Sequence, residues 1–254
     1  MNAPHEVVSV RNLRKAYRGT TAVDDVSFAI RRGEVFGIVG PNGAGKTTTV
    51  ECLIGLRRPD GGSIRVLGLD PSLQPRELRR RIGVQLQNAA LPEGIKVWEA
   101  LALFASFYPH PAERTELLRA WGLEEKRMAR FSSLSGGQRQ RLFVALALVN
   151  NPEIVFLDEL TSGLDPHGRR ASWTMVEGLR DRGTTVVLVT QAMDEAEALC
   201  DRVAIMEGGR IAALDTPEQL IDSLGTGRAF RPRSGRACLE DVFLALTGSR
   251  RIES

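Results

Sequence analysis

Short runs of apolar residues recur along the chain at residues 7–10, 26–30, 34–39, 64–67, 82–87, 154–158 and 185–190, and each reads as a strand. Between them the spacing turns helical. Residues 47–56 read as a helix stopped by Gly55-Leu56-Arg57-Arg58-Pro59, residues 76–81 as a short basic helix, and residues 166–182 as a longer one. Strands alternating with helices predict an α/β fold with a mostly parallel sheet covered on both faces. The texture changes after residue 97. Leu101, Phe104, Leu117, Leu118 and Trp121 fall at helical spacing around a Pro109-His110-Pro111 break. This predicts a small α-helical subdomain, about residues 88–133, inserted into the α/β core. Residues 203–206 and 210–214, around Glu207-Gly208-Gly209, read as a hairpin that closes the core near residue 222. A short tail, 223–254, follows, with a final amphipathic turn of Leu239, Val242, Phe243 and Leu246.

The strand at 34–39 leads into Gly40-Pro41-Asn42-Gly43-Ala44-Gly45-Lys46-Thr47-Thr48 and then into a helix. That strand–loop–helix context is what a phosphate-binding G-x-x-x-x-G-K-[ST] match requires. The glycines let backbone N–H groups turn inward as an anion nest, and the helix N-terminus adds partial positive charge. Lys46 can then reach the terminal phosphates of a nucleotide such as ATP, and the Thr47 hydroxyl can ligate Mg²⁺. A second strand ends in Asp158-Glu159. Asp158 is placed to hold Mg²⁺ directly or through water, and Glu159 to polarise an attacking water. Acids also end strands merely because the chain is reaching solvent.

Composition adds limits. The 254 residues suffice for a substantial core, and 43% hydrophobic with 26% charged residues is ordinary for a globular chain. A net charge of +3 is too small to argue for nucleic acid. Arg228, Arg231, Arg233, Arg236, Arg250 and Arg251 crowd the tail, which fits a solvated segment or one facing an anionic membrane. Three widely spaced cysteines fit free thiols in a reducing cytosol. No run of eighteen apolar residues occurs, and the first residues lack a signal peptide's pattern, so the chain is not expected to cross a membrane by itself.

Leu134-Ser135-Gly136-Gly137-Gln138 opens a long helix about twenty residues before the acidic strand. A Ser-Gly-Gly turn alone is no more than an N-cap. In this order after the phosphate loop it resembles the signature of the ATP-binding-cassette (ABC) ATPases, over residues 5–247. The resemblance implies a P-loop NTPase core with an antiparallel β subdomain and the inserted helical subdomain. It implies that Tyr17 stacks on adenine, although a strand-end surface tyrosine would look the same. It makes Gln87 a contact to Mg²⁺ and the attacking water, with Gln85 a nearby competitor. Asp165, in Ser162-Gly163-Leu164-Asp165, falls in the loop that crosses between two cassettes, and it also fits a helix N-cap. The family pairs head-to-tail, with Ser135, Gly136, Gly137 and Gln138 of one copy closing on the phosphate loop of a second copy.

Two positions depart from the family pattern. Leu160 stands where a Pro usually follows the glutamate, a change to a turn rather than a ligand. Gln191 stands where the family places a switch histidine, and a neutral amide cannot carry charge or shuttle a proton. ATP binding is expected to survive and turnover to be slower than with histidine. Segments such as G-V-Q-L-Q-N-A-A-L-P-E-G and M-D-E-A-E-A-L-C-D-R look like ATP-binding subunits of bacterial ABC-2-type exporters of the daunorubicin and multidrug resistance group. That implies a separate integral membrane permease and a place on the cytoplasmic face of the cell membrane. Residues 88–98, with Ala89, Ala90, Leu91, Ile95 and Trp98, would receive the permease unless they are core of the helical subdomain. Alternative readings are a non-transport ABC ATPase and an ATP-sensing regulator with low turnover.

Overall fold

The computed structural model describes residues 6–87, 89–225 and 237–247. Glu6–Tyr17 (β1) and Thr20–Arg31 (β2) form a long antiparallel hairpin. Its turn is Arg18-Gly19, both at positive φ, as a two-residue hairpin turn requires. The strands are longer than the apolar runs suggest. Alternation carries pairing out to Tyr17 and Thr20, with irregular register around Asn12. The chain continues through Val35–Val39 (β3), Lys46–Leu53 (α1), Gly61–Val66 (β4), Pro75–Arg79 (α2) and Ile82–Gln85 (β5). Val97–Ala105 (α3), Arg114–Ala120 (α4) and Gly136–Ala147 (α5) follow, then Ile154–Asp158 (β6), Pro166–Asp181 (α6) and Thr185–Thr190 (β7). Met193–Leu199 (α7), Arg202–Glu207 (β8), Arg210–Asp215 (β9), Pro217–Gly225 (α8) and Leu239–Thr247 (α9) complete the order.

Two sheets result. The smaller is antiparallel, in the order β2-β1-β4. The larger has the order β5-β6-β7-β3-β8-β9, parallel throughout except for β9. Every residue of β3, β6 and β7 is buried, because helices or the second sheet cover both faces. That is why these strands read as unbroken apolar runs rather than alternating ones. Phe28 of the small sheet stacks on Phe36 of β3, ring centroids 5.3 Å apart, joining the sheets in one hydrophobic cluster.

The opposite face carries a second cluster that takes in the helical insertion, with Leu101, Leu118, Trp121 and Leu123 all buried. The insertion thus leaves the sheet after β5 and returns at β6. The chain end joins the same cluster. α8 runs across residues 222 and 223, and Leu239 and Val242 of α9 are buried. The Leu239 N–H donates to Glu197 Oε2 on α7 at 2.8 Å. The arginines at 228, 231, 233, 236, 250 and 251 lie outside the described residues, as does Asn88.

Candidate functional site

The strand order decides which side chains meet. β6 lies between β5 and β7, and β3 lies beyond β7, all parallel. Residues that leave the C-terminal ends of these strands therefore arrive side by side. Gln87 follows β5, Glu159 follows β6, Gln191 follows β7, and the loop 40–45 follows β3.

The loop is held by close backbone contacts. A Cβ at Gly40 would fall 2.2 Å from the Met206 carbonyl oxygen, and one at Gly45 would fall 2.4 Å from that of Ala22. Gly45 also has φ +96°, which L side chains rarely adopt, so both positions require glycine. α1 starts directly after Gly45 with no side-chain cap, leaving its first-turn N–H groups to the loop's concavity. Lys46 is buried, and its ammonium donates to the carbonyls of Gly40 (2.8 Å) and Pro41 (3.0 Å). Burial lowers its pKa, and the Glu159 and Asp158 charges oppose that. Thr47 is exposed and Thr48 half-buried, while Pro41, Asn42, Gly43 and Ala44 form the arc between.

Asp158 is 3% exposed, and burial, reinforced by Glu159, pushes its carboxyl up to about 6 against the pull of Lys46. It makes no ion pair among the described residues. A buried acid left so little compensated fits a divalent cation, with the Thr47 hydroxyl on the neighbouring loop as a second oxygen donor. Glu159 turns the chain at φ +52°, an uncommon conformation for a non-glycine residue. Its N–H donates to the Val189 carbonyl at 2.8 Å, which fixes it beside β7. Both carboxylate oxygens then accept from glutamine amides. Gln87 Nε2 donates to Oε2 at 2.8 Å, and Gln191 Nε2 donates to Oε1.

Gln85 takes a different place from Gln87. It is buried and donates to the carbonyls of Leu86 and Asp158, so it supports the acidic turn from below and does not reach the Glu159 carboxylate. Leu160 is buried too, an apolar plug beneath the turn. Ser135 caps α5 in a reciprocal box. Its Oγ accepts from the Gln138 N–H at 3.3 Å, and its own N–H donates to Gln138 Oε1 at 3.0 Å. Ser135 and Gly136 are exposed, Gly137 and Gln138 half-buried, and no hydrogen bond among the described residues joins 135–138 to the loop of the same chain. Asp165 caps α6 through the Gly168 N–H at 2.7 Å and is itself exposed. Between the 162–164 turn and Gln191 opens a pocket of about 260 Å³, walled by Glu159, Ser162, Leu164 and Arg169. Tyr17 ends β1 as an exposed residue, its ring flanked by Lys15 at 5.4 Å and Arg57 at 5.9 Å.

The residues expected to line a docking cleft divide. Leu91, Ile95 and Trp98 pack against the second cluster, and Trp98 lies under the Arg114 guanidinium at 4.2 Å, whereas Ala89 and Ala90 are exposed. An apolar groove of about 260 Å³ opens instead between the end of α1, β5 and α3, lined by Leu56, Ile82, Val84, Leu86, Phe104 and Tyr108. Sequence periodicity placed Phe104 on a helix face but could not say that this face stays open. Glu195 escaped the sequence reading altogether. Its only signal is an acid among Ala196 and Leu199 on the apolar side of α7.

Comparison with known proteins places this geometry. The family model described as ABC transporter matches residues 23–162. The daunorubicin/doxorubicin resistance ATP-binding protein DrrA of Streptomyces peucetius is 42% identical over 228 residues, which cover 88% of this chain and 69% of that protein. The Nod factor export ATP-binding protein I of Neorhizobium galegae is 41% identical over 228 residues, 88% of this chain and 66% of its own. Among solved structures, an ATP-binding subunit of an ABC transporter superimposes with a TM-score of 0.82 at 28% identity, over 95% of this chain and 99% of the other. The dimeric structure of MJ0796, a bacterial ABC transporter cassette, gives 0.75 at 28% identity, over 82% of this chain and 98% of the other.

Proposed function

Because the chain belongs to the ABC transporter family and carries its ATP-hydrolysing cassette, we propose that it is the subunit that energises export through a separate membrane permease. One observation carries the catalytic part. Glu159 stands between two amide donors, at the end of the strand whose neighbours deliver Gln87 and Gln191. A carboxylate so held keeps its lone pairs directed and can take a proton from water as the γ-phosphate is attacked. Lys46 exchanges its loop carbonyls for phosphate oxygens, and the N–H groups of residues 43–48 cradle the anion. Asp158, Thr47 and Gln87 hold Mg²⁺, which when bound neutralises charge on the phosphates. Tyr17 supplies a face for the adenine ring.

Ser135 and Gly136 are exposed and no hydrogen bond among the described residues joins the turn to the loop of its own chain, which supports a second copy, arranged head-to-tail, completing each phosphate site. Asp165 and the pocket beside Gln191 lie on the crossing surface. The apolar groove between α1, β5 and α3 is where an ABC-2-type permease docks, which puts the subunit on the cytoplasmic face of the membrane. The names of the relatives, drug resistance and Nod factor export, support a drug, antibiotic or lipid-like cargo. Nucleic acid is not a partner in this reading.

Sizing the Glu159→Gln protein with Mg-ATP and its permease tests the pairing. A two-fold dimer of cassettes is the expected result, and a cassette that stays monomeric at high concentration refutes it. The neutral amide at Gln191 favours one second reading, an ATP sensor with little turnover, and the basal ATPase rate separates the two.

A further inference from the structure

Glu195, in the first turn of α7, is completely buried, with 0% of its surface exposed. An apolar residue would fill that space without the cost of desolvating an acid, so its presence needs a physical reason. Its contacts supply one. Oε1 accepts from Trp173 Nε1 on α6 at 3.3 Å. The hydroxyls of Thr161 and Thr190 approach the carboxyl and favour its charged form, and burial outweighs them and raises the pKa. Oε2 is fully buried and has no well-aligned partner among the described residues. Arg169 acts on the group from α6, where it also forks onto Asp194 (2.7 and 2.9 Å) and lies 5.6 Å from the Trp173 ring.

The positions of these contacts matter. Thr161 lies two residues after Glu159, in the loop leading to Asp165, and Thr190 immediately precedes Gln191. Thr190 is further fixed because its Oγ1 accepts from the Ala192 N–H at 3.0 Å. Thr161 and Thr190 are both buried, and both line the pocket that Glu159 and Gln191 wall. Glu195 therefore touches the two segments that carry Glu159 and Gln191, together with the helix that follows the crossing loop.

We propose that Glu195 is a positioning residue for ATP hydrolysis. It ties the loop after Glu159 to the strand end before Gln191 and so sets the spacing at which these two side chains meet. Neither substrate nor Mg²⁺ touches it. It acts through the two threonines, whose hydroxyls approach its buried carboxyl from the two segments. The inference rests on Glu159 being the base that activates water.

The test is steady-state ATP hydrolysis and ATP binding by the full chain with its permease. Glu195→Leu keeps the volume and removes every polar atom. Glu195→Gln keeps the shape and two polar atoms within reach of the threonine hydroxyls. For Glu195→Leu, kcat is expected to fall about tenfold or more while KM for ATP stays within about twofold. Glu195→Gln is expected to stay within about threefold of the parent protein. Thr161→Val and Thr190→Val, each removing one hydroxyl, are expected to lower kcat by an intermediate factor, and they carry the test if Glu195→Leu does not fold. In a Glu159→Gln background, Glu195→Leu is expected to add no further loss, since the two act on one step. The idea is overturned if kcat survives Glu195→Leu or both threonine variants. It is equally overturned if Glu195→Gln falls as far as Glu195→Leu, or if the loss appears in KM. Should Glu159→Gln itself keep full turnover, the catalytic base is wrongly assigned. Loss in Glu159→Gln with none in Glu195→Leu refutes the positioning role alone.

Discussion

Asp158→Asn is expected to make the nucleotide-free, chelated protein more stable while abolishing its use of Mg²⁺. The acid is 3% exposed, and its pKa stands at about 6 instead of 3.8. The folded state therefore binds this proton more tightly than the unfolded chain does. As pH rises past 3.8 the unfolded chain ionises first, and stability is lost until the folded state ionises near 6. The cost is absent below about pH 4 and complete above about pH 6. The gap between the two values corresponds to about 3 kcal/mol at neutral pH. For a domain of this size that amounts to roughly 6–12 °C in Tm. Thermal and urea unfolding in EDTA, at pH 8 and near pH 4, read it directly. At pH 8 the asparagine variant melts higher, and near pH 4 the two proteins melt together. Saturating Mg-ATP at pH 8 reverses the order, because only the parent protein gains binding energy from the cation. An asparagine variant that melts no higher than the parent in EDTA at pH 8 refutes the reasoning, since burial would then not be the source of the shift.

Gln191→His replaces a neutral amide with a side chain able to make a charge-assisted contact to the γ-phosphate in the transition state. Charge-assisted bonds are about twice as strong as neutral ones, so the gain is about 1–2 kcal/mol, roughly five- to thirtyfold in kcat. Equal steady-state rates for the two side chains contradict it. Gly45→Ala combines a left-handed backbone with a Cβ 2.4 Å from the Ala22 carbonyl, and is expected to cost about 2–5 kcal/mol. Urea unfolding checks it, and a change below about 1 kcal/mol means the loop yields more easily than its contacts imply.

Much of the fold was legible because β3, β6 and β7 are buried on both faces and so read as continuous apolar runs. The β1–β2 hairpin was half legible. Its outer halves alternate with irregular register, and an alternation broken at Asn12 leaves only the most apolar stretches visible. The candidate site divides in the same way. The loop 40–48 declares itself locally, since glycines, lysine and threonine act within one turn of chain. Spacing from Ile82 favours Gln87 over Gln85 in the sequence, and the physical reason lies in where β5 ends. The strand stops at Gln85, whose side chain turns inward, and so frees Gln87 to reach Glu159. Glu195 was invisible for a stronger reason. Its partners lie at 161, 173 and 190, and only the packing of α6 against α7 brings them together.

The place of β3 in the large sheet also has a consequence for how the protein is made. Among the described residues β3 pairs only with β7 and β8, residues 185–190 and 202–207. Its Val35 N–H is further secured by Asp201, and Gly40 rests on the carbonyl of Met206. A ribosome that has translated the glycine-rich loop has made β2, whose Ala22 carbonyl abuts Gly45, but neither of the strands that flank β3 in the sheet. The loop's sequence emerges early, but the strand that aims it stays without a sheet neighbour until β7 is complete at Thr190, and without its second until β8 is complete at Glu207. Such long-range pairing delays folding. The growing polypeptide thus gains its affinity for nucleotide late in synthesis, and a product broken off before β8 would carry the whole motif without the ability to bind.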